Sequence, residues 1–151
     1  MTQEDKELLL KDLSARLPYF GLMVQYKGED FNIIDIGFGR VTLVKPFMSS
    51  TSGSPLIEEI KPYLRPMSSM TEEEFEKLKE YSGLKYEQLD LASYQNGTYK
   101  CLDFYLSEIP SYVVILVFDW LNIHHFDYRD LIEQNLAIEA PKEMYEKWEE
   151  C

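Results

Sequence analysis

The stretch Leu22-Met23-Val24-Gln25-Tyr26-Lys27-Gly28-Glu29-Asp30-Phe31-Asn32-Ile33-Ile34-Asp35-Ile36-Gly37-Phe38-Gly39-Arg40-Val41-Thr42-Leu43-Val44 decides the fold. Leu22, Val24 and Tyr26 alternate with other residues, Lys27 to Asp30 reads as a turn, and Phe31 to Phe38 is rich in β-branched and aromatic residues. That is the pattern of a β-hairpin. Gly37 and Gly39 interrupt it before Arg40 to Val44, a third strand entered through a bend or bulge that glycine permits. With a fourth strand near Leu56 to Ile60, these segments predict a small curled antiparallel sheet, of which an SH3-like barrel is one form. The Gly37-Phe38-Gly39 triplet has a dinucleotide-turn look, but a strand follows where the pyrophosphate needs a helix N-terminus, so it is a bend.

Upstream, Leu9, Leu10, Leu13 and Leu17 recur at spacings of three and four behind Thr2, and Pro18 stops the run, which predicts a helix from Gln3 to Leu17. Downstream, Phe47 to Pro55 reads as an exposed loop, and Pro62 and Pro66 keep Lys61 to Met70 irregular or extended. Thr71-Glu72-Glu73-Glu74 is a capping box for a helix from Glu72 to about Tyr81, buried through Phe75 and Leu78 and ended by Gly83. Asn96-Gly97 would place Leu91 opposite Leu102 and Leu89 opposite Phe104 in a second β-hairpin, at the cost of opposing Asp90 to Asp103. Val113, Val114, Val117, Phe118 and Leu121 share a helical face. The β-branched run at 113–115 leaves residues 112–118 open to a strand, and only Phe118 to Ile123 is firmly helical. Short helices are expected from Asp127 through Leu136 and from Pro141 through Trp148. The chain is therefore α+β: an N-terminal helix, a small antiparallel sheet, a second hairpin and C-terminal helices. It reads as a single domain, with helix and sheet in residues 1–66 and helices and a hairpin packed on them in 67–151.

The 151 residues are 45% hydrophobic and 14% aromatic, enough to fill a core, and carry a net charge of −12. Residues 101–151 hold three basic against eleven acidic residues, so −8 of that charge lies in the last third. Such acidity argues against direct binding to nucleic acid or anionic membranes. The acidic N-terminus lacks the basic start of a secretory signal, and the longest apolar run, Tyr112 to Phe118, is far short of the ~20 residues of a membrane span. A cytoplasmic chain with Cys101 and Cys151 reduced is the expectation.

Catalytic patterns are sparse. His124, His125 and Asp127 are the nearest thing to a metal or acid/base site. Adjacent helical residues point about 100° apart, however, and there is no third histidine. The bland reading, imidazoles meeting a helix C-terminus, is favoured. The Glu72-Glu73-Glu74-Glu76 cluster is explained by capping, Ser50, Ser52 and Ser54 have no placed base, and Tyr63, Arg65, Arg40 and Lys61 form no nucleic-acid motif. No cofactor is expected.

Three blocks carry a resemblance: Lys11-Asp12-Leu13-Ser14-Ala15-Arg16-Leu17-Pro18-Tyr19; Lys61-Pro62-Tyr63-Leu64-Arg65-Pro66-Met67-Ser68-Ser69-Met70-Thr71-Glu72-Glu73-Glu74; and Asp119-Trp120-Leu121-Asn122-Ile123-His124-His125-Phe126-Asp127-Tyr128-Arg129-Asp130-Leu131-Ile132-Glu133. The chain resembles in these a group of small uncharacterised proteins of gut anaerobes, often encoded by prophages or mobile elements. The resemblance implies an accessory context, a cytoplasmic location and no established chemistry. The expected function is a non-enzymatic protein-interaction or accessory protein. Trp120, His125, Phe126, Tyr128 and Arg129 are its candidate contact residues, since such types are enriched at interfaces. The competing view is that these rings pack the joint between two helices. An acidic decoy that mimics nucleic acid is the alternative function, and a metal enzyme using His124, His125 and Asp127 a more distant one. The identity of the protein partner and the oligomeric state are not written in the sequence.

Overall fold

The computed structural model describes residues 1–19, 21–46, 48, 50–84, 90–96 and 111–145. The chain divides into two compact units, one from Met1–Leu64 with Arg129–Cys151, the other Arg65–Tyr128.

In the first unit, helix α1 (Gln3–Arg16) begins with a full capping box: the Thr2 hydroxyl accepts from the Asp5 N–H, and the Asp5 carboxylate accepts from the Thr2 N–H. Leu9 and Leu13 are buried against a meander of β1 (Met23–Tyr26), β2 (Glu29–Gly37) and β3 (Arg40–Val44). Both connections are two-residue turns with positive φ at both positions, Lys27 (50°) and Gly28 (77°), then Phe38 (54°) and Gly39 (72°). These are type I′ turns, whose twist matches that of the strands they join. Val24, Phe31, Ile33, Val41 and Leu43 alternate inward to form one core with Ile57, Ile60, Leu64, Leu131 and Leu136. The β2–β3 register shifts between Ile33 and Asp35, and the intervening Ile34 is left outside.

Several expectations change here. Thr51–Gly53, read as loop, is strand β4 against β3, though all three residues are exposed. Residues 57–59 form a 3-10 turn rather than a strand, and the next strand is β5 (Lys61–Pro66), where the prolines suggested irregular chain. Pro62 is tolerated because it pairs with Val24 in a ladder of only two residue pairs. The strands run in an open order, β4-β3-β2-β1-β5. No SH3-like barrel forms, because the far side of β5 is taken by short strands from later in the chain in parallel pairing, so the sheet is mixed rather than antiparallel. One of these, β7 (Ile138–Glu139), pairs with Tyr63 and Leu64. Of the Asp127–Leu136 stretch expected to be helical, Asp127 is in a short strand and residues 128–136 take turns instead, with Asp130 (φ 59°) and Asn135 (φ 61°) in left-handed geometry. Past Pro141 the described residues also take a turn, and Trp148 lies outside them.

In the second unit, α2 (Glu72–Ser82) has the expected capping box, and Gly83 (φ 72°) ends it with its N–H on Lys79 O. Helix α4 (Ser111–Ile123) settles the helix-or-strand question: Val113, Val117, Trp120 and Leu121 are buried at helical spacing and pack with Phe75 and Leu78 of α2. The second hairpin is overturned where it can be seen. Residues Leu91–Gln95 form helix α3, because the Asp90 side chain caps Ser93 N–H and Tyr94 buries its ring 5.1 Å from that of Phe75. The other arm of the expected hairpin lies outside the described residues. Strand β6 (Phe126–Asp127) pairs in parallel with Arg65 and Pro66.

Candidate functional site

The segment expected to contact a partner begins where α4 ends. His125 takes φ 61°, the left-handed terminator geometry that glycine or asparagine usually fills, with its N–H on Asn122 O. The His125 carbonyl then accepts the Arg65 N–H at 2.8 Å, which aims the following residues along β5. Phe126 is therefore driven inward. Its ring stacks on Trp120 (centroids 5.8 Å, interplanar 15°), and the Arg65 guanidinium carbon lies over the Phe126 ring, 4.2 Å from its centroid. Tyr128 packs 5.2 Å from Phe118 and donates its hydroxyl to Asn122 at 2.8 Å. Trp120, His125, Phe126 and Tyr128 are all buried. They are packing residues and offer no surface patch, which is the helix-joint reading realised. Arg129 is also occupied: its guanidinium donates to Asp12 Oδ1 at 2.8 Å. Asp12 in turn receives a bidentate fork from Arg16, with Nε and Nη2 at 2.8 and 3.0 Å; Asp12 and Arg16 are fully buried and Arg129 partly so.

The histidines do not assemble a metal site. The His124 ring packs tilted against Trp120 (centroids 4.2 Å, interplanar 36°), Asp127 is buried, and among the described residues no three His, Cys, Asp or Glu side chains could hold one ion. Burial, reinforced by the Arg65 and Lys77 charges, pushes the His124 pKa down to about 4 despite the opposing Glu74 charge, so the ring is neutral near pH 7. Glu74 is held below its ordinary value. Burial alone would raise it, but the Arg65 fork at 2.7 and 2.8 Å and the Thr71 bonds outweigh that. The acidic cluster at 72–76 thus resolves into a cap, an internal ion pair and two exposed pairs with Lys77 and Lys79. The basic-aromatic set is dispersed as well: Arg40 binds Ser54 O, Lys61 binds Asn135, and the Tyr63 hydroxyl donates to Asp30 at 2.6 Å.

One aromatic that sequence reasoning passed over as a sheet-seam element is Tyr145. Its buried hydroxyl donates to Tyr63 O at 2.7 Å and accepts the Met23 N–H at 3.1 Å, continuing the β1–β5 ladder past its last residue pair. Burial raises its pKa, so it remains a phenol.

Among the large hydrophobic residues that the first unit exposes, two sit on one hairpin. Phe38, first residue of the β2–β3 turn, has 106% relative exposure, and the bulged Ile34 on β2 has 48%. The signal was legible as an aromatic between two glycines joining two strands. No protein-family model matches the chain, and no curated protein or solved structure is similar to it. Geometry alone must carry the functional argument. No described helix is long and apolar enough to cross a membrane.

Proposed function

We propose that the protein works by binding another protein, as a non-enzymatic accessory factor of the phage or mobile-element kind its sequence resembles. One observation supports this reading: the residues expected at an interface are buried, while on the β2–β3 hairpin Phe38 stands fully in solvent and Ile34 is half exposed. Phe38 is the contact residue in place of Trp120, His125, Phe126 and Tyr128.

Affinity capture with the tagged full chain in its native host tests the reading. Recovery of one stoichiometric protein across growth and induction conditions is the expected outcome, and recovery of none under any of them refutes it. The acidic-decoy alternative keeps one specific support, the exposed carboxylates of Asp130, Glu133, Glu139 and Glu143. A salt titration of the captured complex separates the two, because a nucleic-acid mimic loses affinity steeply with salt whereas an apolar contact does not.

A further inference from the structure

We infer that residues 129–145 are a closing strap: the first unit, whose helix and meander come early in the sequence, gains stable structure only when this late segment docks, after the second unit has folded. Chain continuity separates the two units. The second is one uninterrupted stretch, Arg65–Tyr128, and its described core residues all lie within 67–128. The first is assembled from both flanks of that stretch, and its core joins residues 9–64 to Leu131, Leu136 and Ala137.

The strap is fastened along its whole length. Arg129 donates to the buried Asp12 of α1 at 2.8 Å. Leu131, Leu136 and Ala137 are buried in the core. Strand β7 pairs in parallel with Tyr63 and Leu64, the Ala140 N–H donates to Leu64 O at 2.8 Å, and Tyr145 bridges Tyr63 O and Met23 N–H. Without these contacts, residues 1–64 would present an open β5 edge and an uncovered core to water. A folded chain of about 60 residues is already marginal, because it buries only about 60% of the surface its unfolded form exposes. Losing that cover leaves α1 and the β1–β3 meander without lasting protection. Domains ordinarily fold in the order in which they are made, and here the order is inverted. Helices α2 and α4 close their core from chain complete at residue 128, whereas Asp12 waits for a partner 117 residues away. At about 5–20 residues per second of synthesis, the interval between residues 64 and 145 lasts roughly 4–16 s. Leu9, Leu13, Val24 and Leu43 lack their final cover throughout it.

Pulse-labelling hydrogen exchange during refolding of the full chain from urea tests the order. Unfolding is held to about a second, so that prolyl bonds, which isomerise over roughly 10–100 s, keep their native state and add no slow phase. Amides of α2 and α4 should gain protection in an earlier phase, and those of α1 and β1–β3 in a later one, at the same rate as the Ala140 N–H. Protection of α1 or the meander ahead of Ala140, or of both units in a single phase, overturns the inference. Leu131→Ala gives a second measurement, on the native full chain. A buried leucine cut to alanine should speed exchange in α1 and β1–β3 by about 30-fold or more, while α2 and α4 change by less than about threefold. Equal acceleration in both units, or none in α1, refutes the strap. Should that variant fail to fold, the wild-type pulse labelling decides.

Discussion

Tyr145→Phe isolates the seam between β1 and β5. The two strands share only the pairs Val24↔Pro62 and Gln25↔Lys61, and Pro62 has no N–H to give. The next step of the ladder is made by the Tyr145 hydroxyl, which bonds Tyr63 O at 2.7 Å and Met23 N–H at 3.1 Å from a buried ring. Phenylalanine keeps the ring and removes both bonds. Each backbone group left without a partner in the interior costs about 1–3 kcal/mol, partly recovered if the strands close by a few tenths of an ångström, so the expected loss is about 2 kcal/mol. For a chain of this length that lowers the melting temperature by about 4–8 °C. Urea unfolding should show a lower midpoint at unchanged m-value, and native-state hydrogen exchange should show Met23 N–H deprotected ahead of Val24 and Gln25. A midpoint within ~0.5 kcal/mol of wild type, with Met23 protection intact, would falsify the claim that this phenol holds the seam.

Three further perturbations test other parts of the structure. Glu74→Gln keeps an acceptor for the Thr71 cap but breaks the charge-assisted fork from Arg65, for an expected loss of about 1–2 kcal/mol in denaturant unfolding at pH 7. Because the folded-state pKa of Glu74 lies below its ordinary 4.5, its contribution is complete above that value and fades as pH falls beneath it, so the wild-type and variant curves should converge in acid. His124 is depressed from 6.5 to about 4, so the folded state resists protonating it, and stability should be full above pH 6.5 and decline towards pH 4. The full shift corresponds to about 2 kcal/mol at pH 5, and about half that after discounting for partial exposure. NMR titration of the ring should find the low pKa, and a midpoint near 6.5 would show the site is solvated. Finally, Gly39→Ala and Gly37→Ala both enter open space, but only Gly39 has positive φ (+72°). The first should cost about 1–2 kcal/mol and the second well under 1, and equal costs would contradict the type I′ assignment.

The elements legible in the sequence are those whose signals are local. Thr2 with Asp5 and Thr71 with Glu74 satisfy orphan N–H groups three residues away, and Gly83 supplies the left-handed terminator, so both helices could be bounded from short windows. The β1–β2–β3 meander followed from alternation, although the turn chemistry of Phe38-Gly39 was hidden by the choice of a phenylalanine where an asparagine would have announced it. Residues 90–96 show what a local signal cannot arbitrate. Asn96-Gly97 favours a hairpin, while Asp90 and Ser93 favour a capped helix. The decision falls to Tyr94, whose burial against Phe75 joins residues nineteen apart.

The burial of the expected contact residues was hidden for the same reason. Trp120, Phe126 and Tyr128 have the composition of an interface, but composition does not distinguish an aromatic that meets a partner from one that meets its own chain. That distinction is made by His125, which turns the backbone through φ 61° and hands its carbonyl to Arg65, sixty residues earlier. Nothing within that segment specifies so distant a bond. Phe38 is the converse. Flanked by glycines and reached by a two-residue turn, it has no neighbour that could cover it, and its exposure follows from local geometry alone. A contact residue is therefore best sought where the chain's own geometry prevents burial rather than where aromatic residues are most crowded.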